Sequence, residues 1–250
     1  MLSVVIVTKN EAHNIVSCIE SVSWAQEVIV LDSGSIDDTV KLASGAGAKV
    51  IQTDWLGYGP QQNRGIDAAS CDWIYSLDAD ERITPALADE IQLAMTQNKF
   101  NVFNVPRRSL FVRKFMNYSG WSPDYTRRLF KKGTARFTNH EIHANLATEE
   151  SVGYLKEPMI HYSFHNYHSV IDKMNRYSTG GANDLNARGH RGSVLSAIGH
   201  GFWAFIKTYF IKAAFLDGQQ GLILAIASAE GSYYKHLKLW ELQNPVSFLE

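Results

Sequence analysis

Residues 73–82 read WIYSLDADER. An aromatic and aliphatic run fit for a buried strand (73–77) ends at Asp78-Ala79-Asp80, two carboxylates one residue apart. Such a pair faces a single ligand if the chain turns there, and hard oxygen donors suit Mg²⁺ or Mn²⁺ bridging a diphosphate. Alone, an Asp-x-Asp is more often a surface turn, so its neighbourhood decides. Upstream, residues 3–7 (SVVIV) form a β-branched run suited to a strand buried on both faces. Residues 14–24 carry Ile15, Cys18, Ile19 and Val22 at helical spacing, with Cys18 on the core face. A second strand, 27–31 (EVIVL), stops at Asp32-Ser33-Gly34-Ser35. Asp37 or Asp38 caps a helix that runs to Gly45 and Gly47, and 49–52 is a brief third strand. Downstream, Pro85 opens a helix over 86–97.

Alternating strands and helices over a hundred residues predict a parallel sheet with right-handed crossovers. Ligands of such sheets bind beyond the carboxyl ends of the strands. Thr8-Lys9-Asn10-Glu11, Asp32-Ser33 and Asp78-Ala79-Asp80 all fall at those ends and are expected on one rim. No GxGxxG follows the first strand and no GxxxxGK[ST] occurs, which argues against dinucleotide and P-loop sites. A cation on Asp78-Ala79-Asp80 is then the candidate for neutralising phosphates.

The chain has 250 residues, 45% hydrophobic and 20% charged, too apolar for a disordered protein. Its net charge of −1 argues against a general nucleic-acid binder. Cys18 and Cys71 offer neither a disulfide framework nor a zinc cluster, so a reducing compartment is expected. MLSVVIVTKNEAHN has no basic segment and does not read as a signal peptide. No unbroken apolar run approaches the roughly 20 residues that cross a bilayer. Charge is uneven: residues 1–98 hold 5 basic and 14 acidic side chains, whereas 99–136 hold 10 basic ones and only Asp124 as an acid. The basic block reads either as a solvated face or as a surface for a phosphorylated acceptor or anionic lipid.

Residues 1–100 resemble the family 2 inverting glycosyltransferases. The matching pieces are VVIVTKNE, VIVLDSGSIDDT and QQNRGIDAASCDWIYSLDADE. DSGS, LDADER, RRLFKKGTARFTNHEIHA and FLDGQQG are similar to the lipopolysaccharide-core heptose β-1,4-glucosyltransferases. The resemblance implies an α/β fold of the GT-A type: a Rossmann-like mixed sheet flanked by helices, with a C-terminal helical extension. It implies a catalytic domain over 1–165, with 1–98 binding the nucleotide sugar and 99–165 the acceptor, followed by a helical region over 166–250. It further implies a metal-dependent enzyme using Mg²⁺ or Mn²⁺ that moves glucose from UDP-glucose to an inner-core heptose. The acceptor would be a lipid-linked oligosaccharide, met peripherally on the cytoplasmic face of the inner membrane, with no nucleic-acid partner.

By the same resemblance Thr8, Asn10 and Glu11 border the uridine, Asp32 binds uracil or ribose, and Asn63 lies near the ribose or phosphates. Asp78 contacts ribose or metal, and Asp80 ligates the metal. Plainer roles compete, with Asn10 or Asp32 as caps and Ser33-Gly34 as a turn. Inverting transfer needs a base for the acceptor hydroxyl. Glu141, in TNHEIHA (138–144), is the choice, with His140 as alternative base and a salt bridge as the plainer role for Glu141. His161 or His165 completes the cation's coordination or touches the diphosphate, although HYSFHNYH reads more simply as a polar helix start after the strand-like 159–162.

Residues 194–215 and 222–242 read as helices split by DGQQG. The first carries apolar groups on nearly every face, so it packs on the catalytic domain, lies in a membrane interface or forms a dimer contact. Rival functions are transfer of another UDP-sugar to a different cell-envelope glycan or glycolipid, a nucleotidyltransferase, and a lipid-binding scaffold that retains the fold. TKNEAHN lacks the Gly-rich basic loop of a nucleotidyltransferase, and a scaffold would have no need of Asp32, Asp78, Asp80 and Glu141.

Overall fold

The computed structural model describes residues 1–139 and 144–245. The chain divides into two compact units, one of residues 1–108 with 124–162 and one of 109–123 with 163–250.

The first unit is built on β1 (Leu2–Thr8), β2 (Glu27–Asp32), β3 (Lys49–Gln52) and β4 (Trp73–Asp78), hydrogen-bonded in the order β3-β2-β1-β4 and all parallel. Between them run α1 (Ile15–Glu20), α2 (Thr39–Gly45) and α3 (Tyr58–Ala68). The sheet turns antiparallel where β4 meets β8 (Asp124–Lys131), and continues through β6 (Val102–Phe111) and β12 (Met159–Phe164) to β5 (Glu81–Arg82). α4 (Pro85–Gln97) starts at Thr84, whose hydroxyl accepts from Leu87 N. β9 (Arg136–Phe137) and β10 (Leu146–Ala147) form a separate pair, and β11 (Val152–Tyr154) lies along β6.

Alternation along β1 sorts the core. Val4 and Ile6 join Ile15, Cys18, Ile19, Leu87 and Ile91 on one face. Val5 joins Ile29, Leu31, Ile66, Ile74 and Phe130 on the other.

The expected four parallel strands, the helix at Pro85 and the buried Cys18 are all present. α1 is shorter than its apolar spacing suggests, and ends at Glu20. α3 was not anticipated, because Gly57, Gly59 and Pro60 read as a loop. Gly65 allows the helix to lie directly on the sheet, since a Cβ there would overlap Val5 Cγ1 and meet Leu31 Cδ2 at 3.0 Å.

In the second unit, β7 (Lys114–Phe115) pairs with Leu110 and Phe111 of β6. α5 (Tyr167–Ala187), α6 (Val194–Ile206) and α7 (Gln219–Gln243) follow, with a π-helical turn at Lys207–Ile211 and a 3-10 turn at Ala214–Asp217. Asp217 is buried and ties the two chain segments together. Its carboxylate accepts from Asn117 N (3.1 Å), Tyr118 N (3.0 Å) and the Ser119 hydroxyl (2.9 Å). Lys114 Nζ donates to the Asp217 carbonyl at 2.6 Å. Phe111, Met116, Val170 and Leu224 form the core, with Trp121 and Phe164 packed on it.

One sequence expectation changes here. α6 and the π turn make a continuous helix over Val194–Ile211, 18 residues long and apolar enough, by length and composition alone, to cross a membrane. The linear pattern hides it because Gly199, His200, Gly201 and Lys207 interrupt the apolar run.

Candidate active site

Register brings the polar strand ends together. Thr8 pairs with Asp32 across β1 and β2, and Val7 with Asp78 across β1 and β4. Parallel neighbours lie about 4.8 Å apart, so Thr8, Asp32 and Asp78 share the carboxyl rim.

The loops after β1 and β2 are stitched to one another. Asn10 takes a left-handed backbone, φ 56°, which Asn tolerates better than most residues. Its Oδ1 accepts from Ile36 N at 2.9 Å, and its N–H donates to Ser35 Oγ at 2.8 Å. Glu11 N donates to Thr39 Oγ1 (2.8 Å), and Ala12 N to Asp37 Oδ2 (3.2 Å). The Glu11 carboxylate accepts from Asn14 Nδ2 at 2.8 Å and lies 3.7 Å from His13 Nε2. Asn10 therefore clamps two loops rather than capping α1. Asp32 is fully buried, and its carboxylate accepts from Gly34 N and Ser35 N, both at 3.0 Å, and from the Ser35 hydroxyl. It shapes the turn in which Gly34 takes φ 81°. Thr8 Oγ1 is buried without a hydrogen-bond partner.

α3 presents Gln61, Gln62 and Asn63 inward. Gln61 Nε2 reaches Ser33 Oγ (2.9 Å) and Thr53 Oγ1, and Gln62 Oε1 accepts from Ser76 Oγ (3.0 Å). Asn63 pairs both amide atoms with Phe137, donating to its carbonyl (2.9 Å) and accepting from its N–H (3.0 Å). That pairing holds β9 against α3.

At the end of β4 the acidic motif meets a buried arginine. Arg128 Nη2, on β8, donates to Asp78 Oδ2 (2.5 Å) and to Glu81 Oε1 (2.7 Å). Glu81 Oε2 accepts from Asp78 N at 3.0 Å, and Arg107 Nη1 lies 3.6 Å from Glu81. Burial pushes the Glu81 carboxyl up, against the pull of Arg128. Burial also opposes the charge on Arg128, but Asp78 and Glu81 more than offset this and raise it. β5 pairs with β12 so that His161 opposes Glu81, and His161 Nε2 lies 3.2 Å from Asp80 Oδ2. Arg82 fixes the motif to α1 by donating to the Asn14 carbonyl (2.9 Å) and Ser17 Oγ (2.7 Å).

The rim thus gathers Thr8, Asn10, Glu11, Asp32, Asp78 and Asp80. Asn63 sits beneath, engaged with β9, and His165 belongs to the second unit. Glu141 and His140 lie outside the described residues. No group of three or more His, Cys, Asp or Glu side chains is arranged to hold a metal among the described residues. Glu81 and Arg128 were not anticipated. In sequence Arg128 is one cation of the basic block 99–136, and several of that block's cations have internal partners. Arg107 holds Asp124 (2.7 Å), Arg127 the Leu146 carbonyl (2.7 Å), Lys132 the Ala69 carbonyl (2.6 Å) and Arg136 Asp67 (2.8 Å).

Residues 3–149 match the model of Glycosyl transferase family 2. The chain belongs to that family. The transferase is 32% identical to an uncharacterized glycosyltransferase of Rickettsia bellii, over 96% of this chain and 86% of that one. It is 26% identical to the lipopolysaccharide core biosynthesis glycosyltransferase LpsC of Rhizobium meliloti, over 96% and 92%. The crystal structure of S. aureus TarS superposes with a TM-score of 0.51 at 15% identity, covering 70% of this chain and 39% of that one, a likeness of fold alone. The curled mixed sheet flanked by helices is the GT-A arrangement, and the protein is a glycosyltransferase.

Proposed function

We propose that this transferase moves glucose from UDP-glucose to an inner-core heptose of a lipopolysaccharide, inverting the anomeric centre. The observation that carries the reading is the convergence of Thr8, Asp32, Asp78 and Asp80 on one rim, where an α/β sheet of this kind takes its ligand. The relative named for lipopolysaccharide core biosynthesis supports the acceptor class.

Asp80 and His161, one hard oxygen and one nitrogen donor 3.2 Å apart, are the residues that would hold Mg²⁺ or Mn²⁺ together with the donor's diphosphate. When bound, such a cation offsets the charge that grows on the departing diphosphate. The chain's own residues do the rest. Arg128 fixes Asp78 toward the ribose and the cation. The Asn10 and Asp32 hydrogen bonds hold the uridine-binding loops in one shape, so that the pocket is formed before the donor arrives. Asn63 supports the floor below the phosphates. Glu141 takes the proton of the heptose hydroxyl as that oxygen attacks the anomeric carbon.

Calorimetry with UDP-glucose, UDP-galactose and UDP-N-acetylglucosamine, each with Mn²⁺ and again with EDTA, tests the donor, and a heptose-terminated acceptor then tests transfer. UDP-glucose is expected to bind preferentially and only with the cation. Asp80→Ala loses that binding, and Glu141→Gln keeps binding but loses transfer. Preference for another UDP-sugar overturns the donor. Absence of binding to all three overturns the site.

A further inference from the structure

α6 is packed inside out. The residues it buries are Ala197 and Gly201, and the π turn buries Thr208. The residues it exposes are Leu195 (79%), Ile198 (53%), Phe202 (68%) and Trp203 (54%), continued by Phe210 and Ile211 on the π turn. The reason lies in how closely α7 approaches. A Cβ on Gly201 would come 3.0 Å from Tyr233 Cβ and 3.2 Å from the Ala229 carbonyl oxygen. Small residues against a neighbouring helix and large apolar ones outward is the arrangement of helices whose solvent is lipid. A helix facing water turns the same residues the other way. Only 17% of Val194–Ile211 is buried.

The apolar surface continues past α6. Eleven of the 26 exposed large hydrophobic residues among those described fall between Val194 and Ile226, including Phe215, Leu216 and Leu222 on the following turns. Charge over this stretch has one sign. Between residues 191 and 229 the cations Arg191, Lys207 and Lys212 are exposed, whereas the only acid, Asp217, is buried and engaged by the backbone of Asn117 and Tyr118.

We infer that the outer face of α6 and the turns after it dock into the headgroup region of an anionic lipid bilayer. Apolar side chains enter the acyl boundary, while Lys207 and Lys212 lie among the phosphates. Spanning would carry a high cost, since α7 bears Glu230, Lys235, Lys238 and Glu241 alongside. A second copy of the chain fits less well. A two-fold contact sets each patch against itself, which would bring the cations of this face together with no exposed acid to balance them.

Flotation of the full chain with phosphatidylcholine vesicles, with and without phosphatidylglycerol, tests the surface. The chain is expected to float with the anionic vesicles. Phe202→Ser with Trp203→Ser should weaken that binding by at least about tenfold, since two buried aromatic side chains are lost from the contact. Lys207→Glu with Lys212→Glu should remove the preference for phosphatidylglycerol. All four positions are exposed, and an unchanged circular-dichroism melt confirms that the variants fold. The inference is overturned if the wild type floats with neither vesicle, or if the double serine variant binds as well as wild type. It is equally overturned if sedimentation shows a dimer that the serine substitutions dissociate while vesicle binding is absent.

Discussion

At the carboxyl rim of the first unit, charged side chains lie buried and are held by one another. Along α6 of the second unit, large apolar side chains lie exposed while alanine and glycine fill the interior. Each region departs from the ordinary globular arrangement, and in the opposite direction. Soluble proteins rarely bury Glu or Arg without partners, and rarely display contiguous large apolar patches. The two departures mark two different surroundings. Under the readings proposed above, the rim would receive a small, highly charged ligand and the helix face a low-dielectric surface. The comparison also separates what stabilises each place, since the rim relies on satisfied charge and the helix on close backbone approach.

The strongest way to break that comparison is at Arg128. Arg128→Met leaves the buried Glu81 beside Asp78 without its hydrogen-bonded cation, with only Arg107 at 3.6 Å, and should cost about 3–5 kcal/mol in thermal unfolding. Pairing it with Glu81→Leu should restore most of the loss, because a buried ion pair replaced whole by apolar groups is often neutral. If the single variant melts like the wild type, the charges at the rim do not depend on one another.

A smaller effect is expected on α6. Gly201→Leu drives a side chain into Tyr233 and the Ala229 carbonyl and should destabilise by about 1–3 kcal/mol, as overpacking usually does. Phe202→Ser, on the exposed side of the helix, should stay within about 0.5 kcal/mol in the absence of lipid. The reverse order would mean that α6 packs through its large residues.

The smallest effect sharpens the contrast between the two regions by pH. His236 on α7 stacks on His200 of α6, with ring centroids 3.7 Å apart. Burial, then His200, Lys235 and His190, lower its pKa from 6.5 to about 4. The folded protein therefore keeps His236 neutral while the unfolded chain takes up a proton. Its contribution is intact above pH 6.5 and is lost as pH falls toward 4, so stability rises with pH across that window. Melts of wild type and His236→Phe should converge above pH 6.5 and separate below it. Identical slopes would remove His236 from the account.

Much of this was legible in the sequence, for identifiable reasons. β1 to β4 announce themselves as β-branched and aromatic runs, and Pro85 marks the start of α4. Asp78 and Asp80 were readable because a strand's end and a repeated carboxylate are both local signals. Arg128 was not, because its partner Asp78 lies 50 residues earlier and only the turn of the sheet from β4 to β8 joins them. α3 was obscured by Gly57, Gly59 and Pro60 at its start, which read locally as a loop. Asp32 and Asn63 were recognisable as special positions, but their hydrogen bonds close on their own turn and on β9, which spacing alone does not reveal. The inversion of α6 could not be read from a helix whose every face carries apolar groups. It took Gly201 lying against Tyr233 to show which side is inner.

Residues 109–123 belong to a unit whose remaining residues follow only after 162. Ser119 and its partner Asp217 are 98 residues apart in the chain. A ribosome adding about 5–20 residues per second leaves that gap open for roughly 5 to 20 seconds. Throughout that interval Phe111, Met116 and Trp121 have been made but α7, which supplies Leu224 to their core, has not. The transferase therefore emerges from synthesis with a sticky segment held in waiting. A nascent chain cut short before Asp217 would leave the Asn117–Ser119 turn without its carboxylate and this core without Leu224, a ready target for chaperones and proteases.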